Sequence, residues 1–304
     1  MRWRSGTVVT TVAALVLALA PVHAAVAADA SSGAGVTVAH DVVYRTVDGA
    51  PQLLDAYVPT ADTVERPVIL LVHGGAWRGG DKTNLVAEGM KLAQLGYVAF
   101  SVNYRLTPTY AYPAAVDDVQ AAVRWVRAPK QVKTYETDPK RVGALGASAG
   151  GHLVGMLATL GQGSRTSGAR IRAAVSWSGP MDFNLWPLAQ FGREPPGGDD
   201  LASDVLSFLG CPTGDPCPNA TRASPISHVD KTDAPMLLAN STDELVPLAH
   251  ATTMDAALKA AGVPDQLVVF PGDRHAQAFA DDVWPQTVAF LEQYVGKPPS
   301  ANPK

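Results

Sequence analysis

The sequence predicts an α/β protein with a mostly parallel central sheet, helices on both faces and an inserted cap segment. Short continuous apolar runs recur along the chain, segments of helical periodicity lie between them, and a glycine-flanked serine stands where one run meets an apolar helix. Runs buried on both faces and separated by helices denote a parallel sheet covered on each side.

In chain order, Val36 to Tyr44 and Gln52 to Val58 alternate as two antiparallel strands joined by the turn Asp48-Gly49. The buried runs follow at Val68 to Val72, Tyr97 to Val102, Arg141 to Leu145, Ala173 to Trp177, Pro235 to Ala239 and Gln266 to Phe270. Ala114 to Val126 carries apolar residues at helical spacing, with Asp117, Asp118 and Arg124 largely off that face. Ala249 to Ala261 and Pro285 to Tyr294 read similarly. Asp182 to Thr221 holds Pro195-Pro196-Gly197-Gly198, both cysteines and several aromatics, and is too long for a simple connection. It reads as a cap inserted near 182–223.

Of the 304 residues, 47% are hydrophobic and 17% charged, enough for a full core and too little charge for a disordered polymer. Lys plus Arg total 24 against 28 Asp plus Glu, which offers no broad basic field for a phosphate backbone and argues against a nucleic-acid partner. Arg2 and Arg4 precede the apolar run Val8 to Ala20, and small residues such as Ala25-Val26-Ala27 follow Pro21. That order is a secretory leader over residues 1–27, and the run falls short of the ~20 apolar residues of a spanning helix. The expectation is a secreted chain without stable membrane insertion, with one catalytic domain over residues 28–304. In an oxidising compartment Cys211 and Cys217 are expected to pair.

The sharpest local signal is Gly146-Ala147-Ser148-Ala149-Gly150-Gly151, between the run Arg141 to Leu145 and the apolar helix His152 to Leu160. A serine on so tight a turn is strained, and only small neighbours two before and two after let the turn close. The turn exposes the hydroxyl near a helix N-terminus, which makes Ser148 the candidate nucleophile. After the first buried run, His73-Gly74-Gly75-Ala76-Trp77 can aim backbone N–H groups at one point. Gly75 and Ala76, with Ala149, are the candidate oxyanion donors.

Of the seven histidines, His275 alone stands in a loop after the last strand, at the sheet edge that also presents Ser148. It is the candidate base. The candidate acid is Asp243, after the run Pro235 to Ala239; its neighbour Glu244 is the alternative, with a longer arm that could offset a one-residue shift. Trp77, Trp177 and Trp186 are candidate substrate-binding residues.

These residues resemble the α/β-hydrolase superfamily, whose triad follows the order Ser, acid, His. Within it the chain is similar to bacterial carboxylesterases related to hormone-sensitive lipase and to their secreted acyl and acetyl esterase cousins. Val102 to Leu106, Tyr112-Pro113, Asp118, Trp125, Asp138 to Arg141 and Ser224-Pro225 are further points of likeness. Ala76 stands where that group often has a third glycine, and Ala239-Asn240 where it usually has His-Gly.

The resemblance implies an α/β-hydrolase fold and hydrolysis of short-chain acyl, aryl or carbohydrate acetyl esters through an acyl-enzyme, with no metal or cofactor required. An amidase or peptidase on the same fold is the nearest alternative, and a non-catalytic ligand-binding relative a more distant one. The sequence leaves the oligomeric state open.

Overall fold

The computed structural model describes residues 1, 30–33, 35–61, 64–185, 201–211 and 217–299. The leader, Trp186 and much of the cap lie outside them. The chain runs β1 (Ala30–Gly33), β2 (Val36–Val47), β3 (Ala50–Pro59), β4 (Arg66–Val72), α1 (Val86–Gln94), β5 (Val98–Val102), α2 (Ala114–Val126), α3 (Pro129–Tyr135) and β6 (Thr137–Ala147). It continues through α4 (Ala149–Thr159), β7 (Ala174–Trp177), α5 (Leu201–Leu209), α6 (Pro218–Ala223), β8 (Met236–Ser241), α7 (Ala249–Ala261), β9 (Asp265–Phe270) and α8 (Ala280–Tyr294).

The strands form one sheet in the order β1-β2-β3-β5-β4-β6-β7-β8-β9. The first three join antiparallel, and every pairing from β5 to β9 is parallel. Parallel neighbours need crossovers, and the helices supply them. This is the expected α/β-hydrolase architecture, extended at one edge by β1.

The pleat divides the core in two. Val68, Leu70 and Val72 of β4 face a cluster with α2 and α4, while Ile69 and Leu71 face the other side with Leu92 of α1 and Phe290 and Leu291 of α8. Side chains alternate across a strand, so a run apolar at every position serves both layers. The helix expected from Pro285 begins at Ala280; Pro285 lies inside α8, whose first turn carries Asp281 and Asp282 in a favourable place at the positive helix end. Two cap helices fall within the expected insertion: α5, and α6 just beyond the Cys211–Cys217 disulfide, with Cα atoms 5.6 Å apart. Among the described residues no helix is long and apolar enough to cross a membrane.

Candidate active site

Ser148 sits between the end of β6 and the start of α4 with φ 54° and ψ −120°. Such a backbone costs a non-glycine residue about 1–3 kcal/mol and persists only where its surroundings fix it. The Ser148 amide donates to Trp177 O at 2.7 Å, and its carbonyl accepts from the His152 amide at 3.0 Å. A Cβ on Gly146 would stand 2.2 Å from Gly150 O, and one on Gly150 would stand 1.9 Å from Val72 O. The sequence requirement for glycine on both sides is therefore a backbone packing requirement.

Beside the serine, the chain leaves β4 through Gly75 at φ 111°, Ala76 at φ 50° and Trp77 at φ 57°. The Arg78 and Gly79 amides close this turn onto Gly75 O at 3.0 and 2.9 Å. The Gly75 and Ala76 amides make no hydrogen bond among the described residues, and a helix's first N–H groups, Ala149's here, have no partner within the helix. Gly75, Ala76, Ser148 and His275 line one cleft of about 550 Å³, together with Arg78, Asn84, Asp204, Leu201, Leu245 and Gln277.

His275 follows β9, and its Nδ1 contacts Glu244 Oε2. Glu244 is buried, and its Oε1 accepts from Ser178 Oγ at 2.9 Å and from the Ser241 amide at 2.7 Å. Ser178 Oγ in turn accepts from the Ala276 amide at 2.9 Å, and Ser241 Oγ donates to Arg274 O at 2.6 Å. The acid and base loops are thus stitched together by two buried serines.

The expected acid Asp243 does not reach His275. Its amide bonds to Gly272 O at 2.9 Å and the preceding Thr242 amide to Phe270 O at 2.9 Å, in a turn just past the end of the β8–β9 ladder at Ser241 and Phe270. That turns Asp243 outward, where its carboxylate accepts from Thr242 Oγ1 at 2.6 Å, and directs the next side chain inward. Glu244 occupies the place assigned to Asp243.

The tryptophan expectations also need correction. Trp177 is buried on the α1/α8 side of the sheet, donates to Thr287 Oγ1 at 3.3 Å and packs edge-on to Trp284. It supports Ser148 through its backbone carbonyl and does not line the cleft. Trp77 is buried too, stacked on Phe208 of α5 with ring centroids 4.5 Å apart. Trp186 lies outside the described residues.

The other buried histidines, His73, His152 and His250, do not line the cleft. His73 stacks on Tyr104, donates from Nδ1 to Gly74 O at 2.7 Å, and burial lowers its pKa. His152 and His250 are buried, and desolvation pulls each down to about 4. Asp118, fully buried, accepts from Arg45, from the Arg105 guanidinium and from the Arg105 amide, tying the loop after β5 to α2.

The chain matches the BD-FAE family over residues 54–258. It belongs to that family. It is 30% identical over 205 residues to the probable carboxylic ester hydrolase LipM of Mycobacterium tuberculosis, covering 61% of this chain and 43% of that protein. The chain spans about half the length of the curated relatives it matches. Among solved structures, a truncated carbohydrate esterase from gut microbiota superposes with TM-score 0.67 at 24% identity, covering 84% of this chain and 95% of that one. Thermogutta terrifontis esterase 2 phosphoramylated by tabun superposes with TM-score 0.68 at 23% identity, covering 88% and 97%. These likenesses fix the BD-FAE chain's fold as that of the α/β-hydrolases.

Proposed function

We propose that this BD-FAE chain is an exported serine esterase that cleaves small carboxylic esters through an acyl-enzyme on Ser148. One observation carries the reading: a backbone-strained serine and a histidine backed by a buried carboxylate line the same cleft. His275 takes the Ser148 proton at Nε2 while Nδ1–H donates to Glu244, and Ser148 Oγ attacks the ester carbonyl. The Gly75, Ala76 and Ala149 amides receive the charge on the carbonyl oxygen. Imidazolium then gives its proton to the leaving alkoxide, and water repeats the cycle on the acyl-enzyme.

The cleft's Arg78, Asn84, Asp204 and Gln277 favour a polar alcohol, including a carbohydrate, over a long lipid, with Leu201 and Leu245 as the apolar counterpart. The leader pattern and the Cys211–Cys217 bridge support export, and the single nine-stranded sheet that carries the cap supports one domain over residues 28–304.

The test is hydrolysis of p-nitrophenyl acetate, butyrate and decanoate by the chain and by Ser148→Ala. We expect a loss of ~10³-fold or more in the variant, and a fall in kcat/KM from butyrate to decanoate. Activity surviving in Ser148→Ala overturns the assignment. Cleavage of p-nitroacetanilide with no ester activity moves the reading to an amidase.

A further inference from the structure

We propose that His152, on the helix behind the nucleophile, positions the Gly75 and Ala76 amides through a buried hydrogen bond to Trp77. The inference rests on the oxyanion role proposed above for those amides. Trp77 is the third consecutive residue of its turn at positive φ, a conformation that a bulky aromatic holds only when its surroundings fix it. Its indole supplies the fixing: Nε1–H donates to His152 Nδ1 at 3.2 Å, the ring stacks on Phe208, and Phe183 packs at 5.7 Å. The backbone is tied as well, since Trp77 O accepts from the Thr107 amide at 2.9 Å.

His152 is itself held at both ring nitrogens. Nδ1 must be unprotonated to accept from the indole, so Nε2 carries the proton and donates to Ala223 O, 2.7 Å away at the end of α6. One imidazole thereby links the nucleophile's helix, the turn carrying the candidate oxyanion donors and the cap. Burial disfavours the imidazolium, which would lose the bond to Trp77. The indole is one residue from Ala76, so slack in Trp77 passes directly into the donors' aim.

The experiment compares His152→Leu, His152→Asn and Trp77→Phe with the wild-type chain and Ser148→Ala on p-nitrophenyl butyrate. Active sites are counted by fluorophosphonate labelling, and a trifluoromethyl ketone probes the tetrahedral adduct. We expect His152→Leu and Trp77→Phe to lose about 10–100-fold in kcat per labelled site, as misplaced catalytic groups do. KM should stay near wild type, and affinity for the ketone should fall by a similar factor. His152→Asn, whose Oδ1 can accept from the indole, should recover most of the loss. Trp77→Phe and His152→Asn keep the test informative should His152→Leu fail to fold.

The proposal is overturned if His152→Leu and Trp77→Phe keep kcat per labelled site within about twofold of wild type while Ser148→Ala is inactive. It is also overturned if the losses appear only as fewer labelled sites or a raised KM. Wild-type activity in Ser148→Ala would instead remove the serine reading on which the proposal stands.

Discussion

Glu244 meets Nδ1 of His275 with one carboxylate oxygen while Ser178 Oγ and the Ser241 amide hold the other. The carboxylate is therefore fixed in orientation before the imidazole gains charge, which is what an orienting acid must provide. Glu244→Ala should lower kcat by ~10³–10⁴-fold, whereas Asp243→Ala, exposed and bonded to Thr242, should stay within about threefold of wild type. Steady-state kinetics on both variants decide it; the reverse ranking would return the acid to Asp243.

Ser178 bridges the acid and the base loop, giving its hydroxyl proton to Glu244 and accepting from the Ala276 amide. Removing the hydroxyl takes from a buried carboxylate a bond of about 1.5–3 kcal/mol, the range for charged partners. Ser178→Gly suits the native φ of 52° and removes the hydroxymethyl group that makes both bonds. It should cut kcat about tenfold or more and shift the downfield proton resonance of His275 Nδ1–H. An unchanged resonance with wild-type kcat would make Ser178 mere filler.

The buried histidines set a pH dependence of stability. His152 and His250 are held down to about 4 by burial, against an imidazole reference near 6.5 in the unfolded chain. As pH falls through 6.5 toward 4 the unfolded chain takes up protons that the folded chain refuses, so stability full above 6.5 is lost in that window. Each should contribute about 2 kcal/mol of loss between pH 7 and pH 5. Asp233, which burial raises to about 6, works in the opposite sense, because the folded state binds the extra proton. The informative quantity is a difference: urea unfolding of His152→Asn should show a shallower pH slope than wild type, and equal slopes would contradict it.

Cys211 and Cys217 close a short loop beyond α5, with a sequence separation of 6. Loop-closure entropy for so small a ring is about 2 kcal/mol. The Cys211→Ser/Cys217→Ser double variant should lose about 4 °C in Tm. Calorimetry with and without a reductant checks it: reduction should lower the wild-type Tm and leave the double variant unmoved.

Much of this was readable from sequence. The six apolar runs, the flanking antiparallel strands and the glycine-bracketed serine all depend on local patterns and lie where those patterns put them, but the run expected to be buried at Gln266 to Phe270 is the half-exposed edge strand β9. The residue that meets His275 is Glu244, the alternative, and not the expected Asp243, because the chain leaves the β8–β9 ladder at Ser241 and turns. Two further backbone bonds flip which side chain faces His275, and no local pattern encodes them. Ser178 and Ser241 were invisible for the same reason, since their partners lie 66 and 33 residues away. Trp177 was misjudged because a strand-end aromatic can point to either layer. The pair Ser176 and Ser178 flanking it, both buried polar residues, was the available hint that this strand end carries more than packing.

All eleven residues of α4 are buried. An amphipathic helix can peel from its sheet by surrendering one face, but α4 has no free face to lead the way. Its hydrogen-bonded amides, from His152 onward, should therefore exchange only when the domain as a whole comes apart, and the unusual backbone of Ser148 inherits that protection. The reactive geometry belongs to no excisable segment: a proteolytic fragment keeping β6 and α4 but lacking either flank of the sheet would let the serine relax into an ordinary turn.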